Sequence, residues 1–302
     1  MSGPELTIVV PTRARPAQLK ACLEGIARLD YDHERLEVVV VDDGSPDSLE
    51  PVLAQFRDRL DLRLLVQQRS GPGAARNLGA KVARGQFLGF IDDDCVPDPL
   101  WASALTRELR RRPDRLLGGT VVNALPDNVF STTTQMIAEH VTAYYGNGGN
   151  EPFFTTNNLG VTANRFWELE GFDTSIASLT AEDKEFCDRW RARGYEMAFV
   201  TDAVVRHSHH LTLWQFLRQH YNYGRGILAL RLMKMQRGSG RLLPEPLRFY
   251  SDLVLAPLRV PSARRATVYL PLIIASQLAT ATGAVWTGLT EAWKKVRPDW
   301  GG

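Results

Sequence analysis

The chain opens on short apolar runs, separated by stretches in which apolar residues recur every three or four positions. Leu6 to Val10 is the first run, and Pro11 ends it. An unbroken apolar run of that length suits a strand covered on both faces. From Pro16 the spacing changes, and Leu19, Cys22, Leu23 and Ile26 share one face of a predicted helix. Glu37 to Val41 is a second strand, nearly pure valine. Ser45-Pro46 predicts a second helix start, because Ser caps and Pro tolerates the first turn. Its apolar face would carry Leu49, Val52, Leu53 and Phe56. Leu62 to Val66 is a third strand, Gly71 to Val82 a loop entering a helix, and Phe87 to Ile91 a fourth strand. Strands alternating with helices in this way imply an α/β fold, a mostly parallel sheet with helices on both faces.

The pattern then loosens. Trp101 to Arg112 is amphipathic and helical, and Leu116 to Val122 and Leu159 to Ala163 read as strands. The polar stretch between them, Asn147-Gly-Gly-Asn150, is expected to be a mobile loop. Ala181 to Arg193 reads as a helix and Met197 to Val205 as a strand. Leu211 to Met235 is a long helical region that mixes Trp214, Phe216, Tyr221 and Tyr223 with Arg218, Arg225 and Arg231. Pro244, Pro246, Pro257 and Pro261 interrupt the chain after it.

Ala266 to Thr290 holds no Asp, Glu, Lys or Arg. That length approaches the roughly 20 apolar residues of a membrane-spanning helix. Arg264 and Arg265 precede it, and Lys294, Lys295 and Arg297 follow, a pattern suited to an anionic surface. Its Thr, Ser, Gln and Gly residues weaken the spanning reading, and a buried helical hairpin is the plainer alternative. The expected division is an α/β domain over 1–240 and an apolar helical C-terminal segment over 241–302.

Composition adds little. Of 302 residues, 44% are hydrophobic and 23% charged, so a folded core is the default. A net charge of +2 argues against a nucleic-acid partner, which would call for a strongly basic face. Cys22, Cys95 and Cys187 are odd in number and have no CxxC spacing, which fits a reducing compartment. No secretory signal is visible at the N-terminus, and the expected location is cytoplasmic, against the inner face of the cell membrane.

Candidate chemistry gathers where parallel α/β sheets hold ligands, just beyond the carboxyl ends of the strands. Those positions are Pro11-Thr12-Arg13, Asp42-Asp43-Gly44-Ser45, Gly71 to Asn77, and Asp92-Asp93-Asp94. Three adjacent carboxylates repel one another unless a cation neutralises them. Oxygen ligands favour Mg or Mn. The plainer alternative has Asp94 capping a helix that starts near Pro97, but one Asp is enough for a cap. Gly71 to Asn77 lets backbone approach a ligand, and Arg76 could add a charge-assisted fork to phosphate or base. Taken alone, Asp42-Asp43 is a turn pair, and Glu182-Asp183 is ordinary helix N-terminal charge.

PTRAR, VVVVDDGS, GPGAARNLGA and FIDDDC, followed by NNLGVTANRFWELEGFD and AEDKEFCDRWRARGY, resemble family 2 glycosyltransferases with the GT-A fold over roughly residues 5–225. The resemblance implies inverting transfer from a nucleoside-diphosphate sugar to an acceptor hydroxyl, with Mn2+ or Mg2+ as cofactor. Pro11, Thr12, Arg13, Asp42, Asp43 and Arg76 would frame the nucleotide. Asp92 and Asp93 would face the donor, and Asp94 would hold the metal. Gly171, Phe172, Asp173 and Glu182 would lie on the acceptor side, and Asp183 would be the general base. A late histidine completes the metal shell in several such enzymes, which makes His207 the candidate and His209 the second choice. A zinc site is disfavoured because no complete ligand set accompanies these residues. The QxxRW-type signature of processive synthases is absent, with Asp188-Arg189-Trp190 only a partial echo, so single-sugar transfer is expected. Two competing readings stand beside this one. A sugar nucleotidyltransferase would want glycine after the first strand, where Pro11-Thr12-Arg13-Ala14 has none. A noncatalytic, membrane-tethered nucleotide-sugar-binding protein would have lost carboxylates that this chain retains.

Overall fold

The computed structural model describes residues 3–147, 153–175, 181–237, 244–259 and 263–296. The four apolar runs become β1 (Leu6–Thr12), β2 (Leu36–Asp42), β3 (Asp61–Val66) and β4 (Phe87–Phe90). They pair in parallel in the order β3-β2-β1-β4. Alternate side chains serve two cores. Leu6, Ile8 and Val10 pack with Leu19, Leu23 and Ile26 of α1 (Pro16–Ile26) and with Trp101 and Leu105 of α4 (Trp101–Arg111). On the opposite face Val39 and Val41 pack with Ala75 of α3 (Pro72–Val82). Val9 joins Phe166 of α6 (Ala163–Glu168) and Phe186 and Trp190 of α7 (Glu182–Ala192) on that face. The period of two along each strand thus covers both faces with helices.

Beyond β4 the sheet becomes mixed. β7 (Leu159–Thr162) pairs antiparallel with β4 and with β6 (Leu116–Asn123). β8 (Met197–His207) runs parallel to β6, and β5 (Cys95–Pro97) adds antiparallel to β8. The full order of the eight strands is β3-β2-β1-β4-β7-β6-β8-β5.

Local expectations fail at three places, and one alternative falls away. The helix predicted from Ser45 starts only at Glu50, as α2 (Glu50–Leu53). The Ser45 hydroxyl is engaged elsewhere: it donates to Asp42 Oδ1 at 2.5 Å and accepts from the Ala14 N–H at 2.7 Å. Asp94 caps no helix, because Cys95–Pro97 is a strand and α4 begins only at Trp101. β8 reaches His207, two residues past the expected end. Between β6 and β7 stands a 19-residue helix, α5 (Val129–Asn147), where only a polar stretch was expected. Its Ser131-Thr132-Thr133-Thr134 run has weak helix propensity and shows no apolar stripe. Thr133 turns its hydroxyl back to the Val129 carbonyl at 2.7 Å, a bond available only inside a helix. Of the expected loop, residues 148–150 lie outside the described residues.

The chain divides into two compact units. The first is Met1–Ala124, Pro152–Ala177 and Glu182–His209, and the second is Leu125–Glu151, Ser178–Ala181 and His210–Gly302. This division does not coincide with the expected boundary at residue 240. The second unit takes in α5 and α8 (Leu213–Gln236) beside α9 (Leu247–Leu255) and α10 (Ala263–Val296). Packing explains the grouping: Ile137, Val141 and Tyr144 of α5 lie against a small core of Phe249, Leu253 and Ile273. The apolar C-terminal segment is one continuous helix with Pro271 inside it, not a hairpin.

Candidate functional site

Strand ends build the site within the first unit. Thr12 lies at the end of β1, in register with Asp42 at the end of β2. After β4 the chain turns at Asp92-Asp93-Asp94 and re-enters the sheet as β5, whose Cys95 pairs with His207 of β8. That register sets His207 beside Asp94, with Nε2 3.3 Å from Oδ1. The Ser208 N–H donates to the Asp94 carbonyl at 2.8 Å and fixes the same corner. A recess of about 200 Å3 adjoins Asp94, lined by Ala17, Gln18, Ala21, Val96 and Ser208.

The three aspartates have separate partners. Asp92 accepts from Arg76 at 2.6 Å. Asp93, buried, accepts from the Thr12 hydroxyl at 2.7 Å and from Arg15 at 3.1 Å. Asp94 meets Arg15 at 3.1 Å and His207. Burial pushes the Asp93 carboxyl up to about 6, against the pull of Arg15 and Thr12. Burial also acts to raise Asp94, but the hydrogen bond and charge of His207, with Arg15, hold it below the usual range. His207 answers in kind: burial lowers its pKa, and Asp94 outweighs that and raises it. His209 stacks on His207 with ring centroids 5.0 Å apart, and burial plus that neighbour bring it down to about 4.

Asp94, Cys95 and His207 present ligand atoms that all lie within 4.8 Å of one another. Only two of the three suit a hard divalent ion. Burial and the neighbouring carboxylates push the Cys95 thiol well up, so it stays protonated and is a poor ligand. A carboxylate with one imidazole fits Mn2+ chemistry better than Mg2+.

Arg76 differs from expectation. Its side chain is 4% exposed and lies inside the protein, so it is not held out as a fork for phosphate. One nitrogen reaches Asp92, and the other reaches Glu182 Oε1 at 3.2 Å. Glu182 Oε2 is buried without a hydrogen-bond partner among the described residues. Asp183 follows in the first turn of α7, partly buried, with Oδ1 accepting from the Lys184 N–H at 2.7 Å. Burial and then the Glu182 charge push Asp183 up to about 6. The helix terminus therefore does not keep this acid in the ordinary range.

Asp42 and Asp43 shape the loops. Asp42 accepts from the Ser45 N–H at 2.9 Å as well as its hydroxyl. Asp43 accepts from Gln67 at 2.7 Å and from the N–H groups of Ser70 at 2.7 Å and Gly71 at 2.9 Å, which anchors the entry to α3. Pro11 is buried and Arg13 exposed. Phe172 is a core residue packed against Phe90, Phe166 and Phe186. Gly171 at φ +68° makes the turn into it, where a Cβ would lie 2.6 Å from Asn77 Oδ1. Asn77 clamps that turn through both the N–H and the carbonyl of Phe172. Asp173 accepts from Ser175 in a local turn at 2.9 Å.

Sequence reasoning missed Arg15 and the bridging role of Glu182. Ala14 explains the first. Its φ of +52° bends the chain after β1, so that Arg15 meets the aspartate turn while Arg13 stays outside. The only prior signal was a second arginine three positions past the strand end.

Comparison with known proteins follows the same residues. The model of the glycosyl transferase family 2 matches residues 7–169. A hyaluronan synthase of Pasteurella multocida is 37% identical over 116 residues, 38% of this chain and 12% of that protein. Glycosyltransferase AglE of Haloferax volcanii is 24% identical over 238 residues, 76% of this chain and 75% of its own length. Among solved structures, a mannosyltransferase of Pyrobaculum calidifontis in complex with GDP-Man and Mn2+ superposes with a TM-score of 0.61. It is 19% identical, with 98% of this chain and 82% of that chain covered, and so attests the fold. With more than half its length matched, from β1 through α6, the chain belongs to glycosyl transferase family 2.

Proposed function

We propose that this protein transfers a single sugar from a nucleoside-diphosphate sugar to an acceptor hydroxyl, with inversion and with a divalent cation. The observation that carries the reading is the Arg76 bridge. It ties Asp92, at the strand end where a donor would sit, to Glu182 beside Asp183. Donor-facing and acceptor-facing carboxylates are thereby held by one buried guanidinium. The Pyrobaculum structure was solved with GDP-Man and Mn2+, which supports a donor and a metal of these classes.

In this reading Asp183 accepts the proton of the acceptor hydroxyl as that oxygen attacks the anomeric carbon. The bond to the diphosphate oxygen breaks on the opposite face, so a base is required only on the acceptor side. Its raised pKa makes Asp183 a stronger base while leaving it ionised at neutral pH. Asp94 and His207 would hold the cation, which supplies positive charge to the diphosphate leaving group. Arg15 and Thr12 keep Asp93 turned inward, so the carboxylate next to His207 is Asp94. The buried, unpaired thiols support a cytoplasmic position for this chemistry, and α10 supports contact with the membrane surface.

The test is release of nucleoside diphosphate from a panel of nucleotide-sugars, with Mn2+ and with chelator. Metal-dependent release that falls roughly 10^3-fold in Asp94→Ala is expected. Pyrophosphate released from a nucleoside triphosphate and a sugar phosphate would replace this reading with nucleotidyl transfer. Retained nucleotide binding without turnover for any donor would replace it with a binding role.

A further inference from the structure

The helix α10 is polarised the wrong way for water. Ile273, Ser276, Gly283 and Thr287 are buried, whereas Ile274, Leu278, Val285, Trp286 and Leu289 are exposed. Leu278 is 64% exposed. The exposed positions fall at helical spacing, which places them on one stripe roughly 23 Å long. A helix folded against water would turn Ser276 and Thr287 outward. Small and hydroxyl residues facing a helical neighbour, with large apolar ones facing away, is the arrangement that lipid favours.

The neighbour on the buried side is α8, and it is locked in place. A Cβ on Gly224 would lie 1.8 Å from the Thr280 carbonyl oxygen, and one on Gly283 1.9 Å from that of Tyr221. The Thr280 hydroxyl also reaches the His220 carbonyl at 3.2 Å. Leu228 lies against Gly288, so the two helices run side by side in the same direction. This decides between two orientations. In a helix crossing the bilayer over Thr267–Thr290, Thr280 sits near mid-depth. The lock would then carry His220 and Arg225 of α8 to the same depth, with Arg218 on one side and Arg231 on the other. Ionisable groups at that depth are costly. Lying flat, α10 buries its apolar stripe and leaves α8 on the protein side.

We infer that α10 is an in-plane anchor that lays the face carrying Ile274, Leu278, Val285 and Leu289 into the surface of an anionic phospholipid bilayer. Charge selects that occupant over a second copy of the chain. In the sequence Arg264 and Arg265 precede the stripe, and Lys294, Lys295 and Arg297 follow it, against Glu291 and Asp299. Two such basic ends repel a second copy and attract anionic headgroups.

The inference rests on membrane contact as proposed above, and depth measurement separates the two. The full chain is labelled singly at Val268→Cys, Leu278→Cys or Leu289→Cys. The native Cys22, Cys95 and Cys187 are buried, so labelling is selective. Label depth is then read by lipid-borne quenchers in vesicles of phosphatidylglycerol and phosphatidylcholine. Equal depth at the three positions is expected. Vesicle binding should weaken in pure phosphatidylcholine and at high salt. Leu278→Arg should lower partitioning roughly tenfold or more while donor turnover in detergent is unchanged. A profile with position 278 much deeper than 268 and 289 would overturn the in-plane orientation and leave membrane contact standing. Failure to bind anionic vesicles, with or without dimerisation through this face, would overturn both.

Discussion

In the sheet of the first unit, Leu6, Ile8 and Val10 go inward and the charged groups collect at strand ends. In α10 of the second unit, Ser276, Gly283 and Thr287 go inward while Leu278 and Leu289 face out. The same rule produces both outcomes. Each face takes the polarity of what covers it. Buried polar groups also mean different things in the two. In the first, Asp93, Arg76 and Glu182 form ion pairs around a candidate site. In the second, hydroxyls such as those of Ser276 and Thr280 satisfy helix carbonyls one turn back and let helices approach closely. Substitutions at buried polar positions should therefore cost catalysis or electrostatics in one unit and packing in the other.

The largest effect is expected at Asp183. Asp183→Asn removes the proposed base and keeps its size, so kcat for transfer should fall about 10^2- to 10^4-fold. Donor affinity, measured calorimetrically, should hold, because the residue acts on the acceptor. Full kcat in the variant would remove Asp183 from the chemistry. Next comes Arg76→Met. It strands Asp92 and the buried Glu182 without their cation, and breaking a buried pair in this way costs about 3–5 kcal/mol. Urea unfolding of the first unit should show that loss, and a change under ~1 kcal/mol would mean that the bridge does not order the site.

The matching disturbance in the second unit is Gly283→Ala. The added methyl meets the Tyr221 carbonyl, and the helices must separate at a cost of about 1–3 kcal/mol. Helical signal should melt earlier while nucleotide binding by the first unit is kept. If stability is unchanged, the close crossing of α8 and α10 is not tight, and the argument against a spanning helix weakens with it.

The two units also differ in how much of them the sequence discloses. Unbroken apolar runs and stripes at helical spacing locate β1 to β4, α1, α3 and α4 within one or two residues, because both faces of that sheet demand apolar cover. Long-range pairing is invisible in the same pattern. Nothing local says that β5 adds to β8, yet that pairing sets His207 against Asp94. Nor does spacing predict that Arg76 turns inward to Glu182, 106 positions away. Residue types at strand ends identified Asp92 and Asp94 as candidates, and the family resemblance assigned their roles and alone brought in Asp183. Their couplings came only from the fold. In the second unit the Ser131–Thr134 run masked the start of α5, although Ile137, Val141 and Tyr144 recur at helical spacing after it. The length of α10 was legible, but which of its faces is covered depends on α8.

The smallest effect expected tests the electrostatics around Asp183 without removing it. Burial is the main cause of its raised pKa, and the Glu182 charge is the second. For a base, activity requires the ionised form, so kcat/KM should fall as pH drops through about 6. At pH 5 it would stand roughly tenfold below its plateau. Stability runs the other way. A carboxyl raised from 3.8 to about 6 contributes stability that is complete below the lower value and lost as pH rises through the upper one. Glu182→Gln retains an acceptor for Arg76 but deletes the charge, so the acid limb should move downward. It should stay above the ordinary carboxylate range, because burial is unchanged. The comparison is then sharp: a lower limb with the plateau preserved identifies Glu182 as a positioning residue acting through Asp183. An unmoved limb would assign the raised pKa to burial alone, and would leave the Arg76–Glu182 pair to structure.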